Sequence, residues 1–281
     1  MKRVKIYSVV CLIAICLIAI NGCKKTAEES SAPAVPNANT LSMDFTSLPT
    51  KTKSAAADIT ADSSNWKIAS FTVGFWAIAA GGYTIIPAAA FKAVIDNGKP
   101  VYDDVNKVWE WKVPFTYASG THEADLTAKL SEDSVHWTMK ITTWLNTDQQ
   151  STDKWFEGTA AYSRTGGWWI LYYKPVGSSE WKSCLKLDWK RENDNVGSLK
   201  YTNIIQGDTN NGGFIEFGSV AAGDFDKYFK AKGKSDNVQV NDKLCTIEWN
   251  SSTKVGRIII SDATSTSKYC WDTNLVNTTC P

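Results

Sequence analysis

Between positions 68 and 91 the chain carries no charged residue, and that stretch constrains everything that can fold around it. It sits inside NWKIASFTVGFWAIAAGGYTIIPAAAFKAVID, residues 65–96. The run is longer than ordinary strands and rich in Ala, so it reads as a helix. Asp62, Ser63 and Ser64 offer N-cap oxygens before it, and Asn97-Gly98 offers a C-terminal stop. Ser70, Gly74, Ala77 and Gly81 recur at helical spacing beside Phe71, Phe75, Trp76 and Ile78, a stripe of small side chains that lets another backbone approach. Gly81-Gly82 and Pro87 weaken the middle, because proline lacks an N–H and clashes one turn back. A kinked helix, or two helices meeting there, is expected. The stretch is long enough to span a bilayer. Ala and Gly dilute its hydrophobicity, however, and no strongly basic flank marks a cytoplasmic side. The sequence predicts an apolar helix buried by its own protein.

What buries it follows downstream. From Val108 onward the hydrophobic period is close to two: Trp109, Trp111, Val113, Phe115 and Tyr117 share one face, opposite Glu110, Lys112 and Thr116. Pro114 cannot donate to a ladder, which places an edge or a bulge there. In the next hairpin Ser131-Glu132-Asp133-Ser134 is the turn, so Leu130 faces Val135, Ala128 faces Trp137, Leu126 faces Met139 and Ala124 faces Ile141. Small residues then oppose large ones on a single face. Further strands are predicted over 154–163, 168–174, 180–190, 197–205, 213–218, 225–232, 238–249 and 255–261, separated by Gly- and Asn-rich turns. The expected fold is mainly β: an antiparallel up-and-down meander of about ten or eleven strands, curled into a barrel-like sheet around or against the apolar helix. A two-sheet sandwich is the alternative.

The amino terminus is a processing segment. Lys2, Arg3 and Lys5 form a basic region, and residues 9–20 an apolar one too short to read as a spanning helix. Ile20-Asn21-Gly22-Cys23 resembles the lipobox of bacterial lipoproteins. The resemblance implies cleavage before Cys23 and acylation of that residue, and Lys24 after it points to the outer membrane. Residues 1–22 are thus expected to be a signal segment, residues 23–60 a polar tether, and residues 61–281 one domain. Leu41, Met43 and Phe45 alternate within the tether and are candidates for one extra docked strand. Seven cysteines divide accordingly: Cys11 and Cys16 leave with the signal, Cys23 is lipidated, and Cys184, Cys245, Cys270 and Cys280 remain. Four cysteines permit three pairings in an oxidising compartment. Cys270 and Cys280 bracket a short polar tail and are the preferred pair, which leaves Cys184 with Cys245.

Chemistry is sparse. The two histidines, His122 and His136, fall seven rungs apart in the hairpin register, about 23 Å at ~3.3 Å per rung, and cannot share a metal. No C-x-x-C spacing, G-x-S-x-G elbow or H-E-x-x-H occurs. Asp208-Thr209-Asn210-Asn211-Gly212-Gly213 matches a calcium loop only in part and reads as a turn. Glu123 and Asp125 share a strand face but lie beside Lys129, where carboxylates serve solubility. No enzyme activity and no cofactor are expected. With 30 Lys and Arg against 29 Asp and Glu, nothing in the charge recommends nucleic acid as a partner.

The one excess is Trp, 13 in all. WWILYY at 168–173 is apolar on both faces, making Trp168, Trp169 and Tyr172 candidate ligand-binding residues. Such rings stack on sugars or line lipid cavities, although they also fill β cores, which is the commoner use. The lipobox, SMDF, the helix running into IPAAAF, VWEW, LKYTNI, IEW and the terminal CWDTNL with its final Cys-Pro together resemble a family of uncharacterised bacterial surface lipoproteins. The resemblance implies no reaction. The expected role is a non-catalytic envelope lipoprotein, attached to the outer membrane through its lipid, that binds or carries an apolar molecule; glycan binding or a purely structural role is the alternative.

Overall fold

The computed structural model describes residues 31–49, 64–118, 120–144, 150–192, 195–221, 223–233 and 243–281. The signal segment, Cys23, Asp62 and Ser63 lie outside the described residues.

Among the described residues one long helix, α1 (Asn65–Asn97), precedes fourteen strands. Ser64 caps it by accepting from Lys67 N, and the N–H of Gly98 closes its end on Val94 O. The helix runs through Gly81-Gly82 and Pro87 without interruption, so the chain does not divide into two helices there. Pro87 is buried, and packing holds the turn that its missing N–H weakens.

The strands are β1 (Val101–Asp103), β2 (Val108–Tyr117), β3 (Gly120–Leu130), β4 (Ser134–Trp144), β5 (Gln150–Ala161), β6 (Gly166–Tyr173), β7 (Lys182–Glu192), β8 (Asn195–Asn203), β9 (Phe214–Ser219), β10 (Lys227–Lys232), β11 (Leu244–Trp249), β12 (Gly256–Ser261), β13 (Thr266–Trp271) and β14 (Asn277–Thr278). They form a single sheet in sequence order, every neighbour antiparallel. The expected register of the β3–β4 hairpin is the one found, from Leu130↔Val135 to Ala124↔Ile141. Short β1, β13 and β14 lift the strand number above the expected ten or eleven.

The sheet is open. Its edge strands β1 and β14 pair only with β2 and β13, so the barrel is not closed. Edges of three and two residues present little backbone for another chain to pair with. The sheet still curls, because α1 touches β2, β3 and β4 near one edge and β12 and β13 near the other. Register shifts at Met139/Lys140, Leu171/Tyr172 and Lys190/Arg191 mark irregularities of the bulge type, which increase local twist.

The inner face of the sheet and one stripe of the helix (Ala69, Val73, Pro87, Ala90, Phe91 and Val94) share one core with fully buried Trp137, Trp169, Trp249 and Trp271. Phe91, Phe156 and Trp169 meet edge to face at 5.4–5.7 Å and fasten the C-terminal half of α1 to the sheet.

Residues 31–49 do not behave as tether. Leu41 is fully buried, Thr40 nearly so, and Phe45 packs edge-on against Phe217 and Phe229. The segment forms no strand; a 3-10 turn at Ala38–Leu41 is its only regular element. Side chains of the body grip its backbone and hydroxyls. Trp169 Nε1 donates to Thr40 Oγ1 at 3.2 Å, Tyr201 Oη to Leu41 O at 2.9 Å, Trp249 Nε1 to Ser47 O at 3.0 Å and Trp66 Nε1 to Pro49 O at 3.0 Å. A polar segment can enter a core only when its hydrogen bonds are met there, and indole N–H groups meet them.

Helix burial is one-sided, against the expectation of an enclosed helix. Phe71 is 75% exposed, Ile78 80%, Phe75 55% and Ile85 51%. Residues of 31–49 pack in the same core as the buried stripe of the helix.

Candidate functional site

The cavity that combines size with mixed chemistry lies between the middle of α1 and strands β7 to β9, with a volume of about 160 Å³. Trp76, Ala79, Ala80 and Tyr83 form its helical wall, two turns of the uncharged stretch. Leu185, Tyr201, Phe214 and Ile215 form the sheet wall, with the Cys184 thiol among them. Asn203, Asp208, Asn210 and Lys232 make one end polar.

That polar end is a built turn. Asp208 accepts from Asn210 N at 2.8 Å and from Asn203 Nδ2 at 3.0 Å, and these bonds hold its carboxyl below the usual carboxylate range. Asn211 Nδ2 donates to Ile205 O at 2.9 Å, and Asn203 Oδ1 accepts from Ile205 N. The loop read as a turn is one, and its carboxylate already serves protein donors.

The nucleophile-bearing groups in the cleft are suppressed. Burial pushes the Cys184 thiol up to about 12, and its Sγ donates to Leu171 O at 3.4 Å. A neutral, buried thiol contributes an apolar wall and little reactivity. Burial likewise raises the Tyr201 hydroxyl, which already donates to Leu41 O. Among the described residues no group of His, Cys, Asp and Glu could hold a metal ion.

The nominated aromatic residues are not brought together. Trp169 is fully buried and bonded to Thr40, whereas Trp168 is half-buried and pairs in register with Asp188 on β7. Tyr172 donates to Glu157 Oε1, and Lys154 Nζ lies 4.3 Å above its ring. None of the three lines the cleft. The residues that do line it come from the helix and from strands and a turn more than a hundred positions later; the uncharged helix itself is the signal the sequence offers.

Cys270 and Cys280 are disulfide-bonded, as expected. Cys184 and Cys245 are free, which corrects the second pairing. They lie on β7 and β11 with three strands between, about 19 Å along the sheet at ~4.8 Å per strand. A disulfide needs Cα atoms about 5.5 Å apart. His122 is buried, its Nδ1 3.1 Å from Thr143 Oγ1.

Comparison with protein-family models, with curated proteins and with solved structures returns no match.

Proposed function

We propose that the protein is a non-catalytic envelope lipoprotein, held to the outer membrane by an acylated Cys23, whose body binds a small apolar or amphipathic molecule in the cleft between α1 and β7–β9. The observation that carries this reading is the cleft itself: aromatic and aliphatic on two walls, polar at one end, with its thiol kept neutral. Such a site suits a ligand with one apolar and one polar end. The interior is otherwise packed by sheet and helix side chains together with residues of 31–49, so binding concerns this cleft and not a barrel lumen.

The test is native mass spectrometry of mature protein purified in mild detergent, together with titration of a fluorescent fatty-acid probe. Ala79 is exposed and lines the cleft, so Ala79→Trp fills it without entering the core. Wild-type protein is expected to retain or bind an acyl-chain molecule, and Ala79→Trp to weaken probe binding by about tenfold or more. If no member of an acyl-chain panel binds, the reading fails. Glycan binding would draw on accessible Trp rings, and acrylamide quenching with and without oligosaccharide separates the two.

A further inference from the structure

We infer that the exposed face of α1 seats in the interfacial layer of a lipid bilayer, lying in the membrane plane as a second attachment beside the lipid. Ile68, Phe71, Phe75, Ile78 and Ile85 follow one another at helical spacing and are 47%, 75%, 55%, 80% and 51% exposed. They line one side of the helix for about 25 Å at 1.5 Å per residue. A continuous apolar face of that length marks an interaction surface in a soluble body.

Four observations choose a bilayer as the occupant. The first is reach, and it rests on the proposed acylation of Cys23. Only eight peptide steps join Cys23 to Ser31, at most about 29 Å of chain. A body of residues 31–281 has a radius of gyration of roughly 18 Å. The anchor therefore keeps the body close against the lipid surface. The second is composition: no charge occurs from position 68 to 91, and the charged groups, Lys67 and the Lys92–Asp96 pair, stand outside that stretch at its two ends.

The third is orientation. The helix is long and apolar enough to cross a membrane, yet its other face packs on the sheet. That sheet carries exposed Lys112, Lys129, Lys140 and Lys190 and has open edges, which a hydrocarbon core does not accommodate. The helix lies on the membrane and does not cross it. The fourth is continuity. Trp76, Ala79, Ala80 and Tyr83 line the cleft from the same turns that expose Phe75 and Ile78, so the cleft adjoins the lipid-facing side.

The test uses the full mature chain with Cys23→Ser, exported behind an ordinary cleavable signal, floated with phosphatidylethanolamine–phosphatidylglycerol vesicles. The unacylated protein is expected to float with the vesicles, and Phe71→Glu/Ile78→Glu to lower the bound fraction by about tenfold or more. Both side chains are exposed, so circular dichroism and thermal midpoint should not change. Absence of flotation, or equal flotation of the double variant, overturns the inference. So does a dimer in sedimentation that the double variant dissociates, because a second copy would then cover the face. Flotation with an empty cleft would support this inference and sink only the ligand reading.

Discussion

Thr40 connects two halves of the structure through one oxygen. Its Oγ1 accepts from buried Trp169 Nε1 at 3.2 Å and donates to Asn37 O at 2.7 Å. Thr40→Val keeps the shape but leaves the indole N–H unmet inside the core. An unmet buried donor costs about 1–3 kcal/mol, so urea unfolding should show a loss in that range. A variant as stable as wild type would mean that water reaches the indole. Three other buried or half-buried indoles, those of Trp109, Trp137 and Trp189, have no protein acceptor for Nε1, and the structure offers no physical account of them.

The central helix shows how one element carries two surfaces. Its mid-helix glycines Gly81 and Gly82 have open space where a Cβ would stand. Glycine in a helix interior is less favourable than alanine by about 0.5–1 kcal/mol. Gly82→Ala should therefore raise stability by about that amount, visible as a higher thermal midpoint. The contrast is Gly256, whose added Cβ would collide with the Trp271 ring and Glu248 O. There Gly256→Ala should lower the midpoint. If both variants behaved alike, the packing around Trp271 would be wrong.

Over the whole molecule, several weak acids shift together. Burial raises the Cys184, Tyr201 and Tyr228 ionisations, so the native state holds these groups neutral where the unfolded chain ionises them, near 9 for Cys and 10 for Tyr. Their contribution is complete below pH 9 and is lost as pH rises. Hydrogen bonds hold Asp44, Asp208 and Asp226 below 3.8, so those contributions are complete above that value and disappear as pH falls. Asp125 opposes the trend, because burial and then Glu110 raise it. The urea midpoint measured from pH 3 to 11 should form a plateau falling at both ends, and Cys184→Ala should soften the alkaline fall. A midpoint that climbs through pH 10 contradicts the burial of these groups.

The sequence by itself determined what depends on neighbours a few positions apart. Ser64 and Gly98 bound the helix because capping is local, and period-two alternation with a turn at 131–134 set the β3–β4 register pair by pair. Cys270 and Cys280 could be matched because a short tail leaves few alternatives. Only the tertiary structure decided how distant pieces meet. Residues 31–49 mix apolar and polar side chains without a strand or helix period, and their backbone is held in the core by indole and tyrosine donors from positions 66 to 249. Cys184 and Cys245 stay apart because the sequential strand order, already implied by the expected meander, puts three strands between them. The cleft joins two turns of the helix to a turn near 208, and the helix keeps an apolar face exposed while residues of 31–49 lie in the core. Local periodicity fixes which way a side chain points on its own element; what it meets there depends on how the chain closes, and closure is a property of the whole fold.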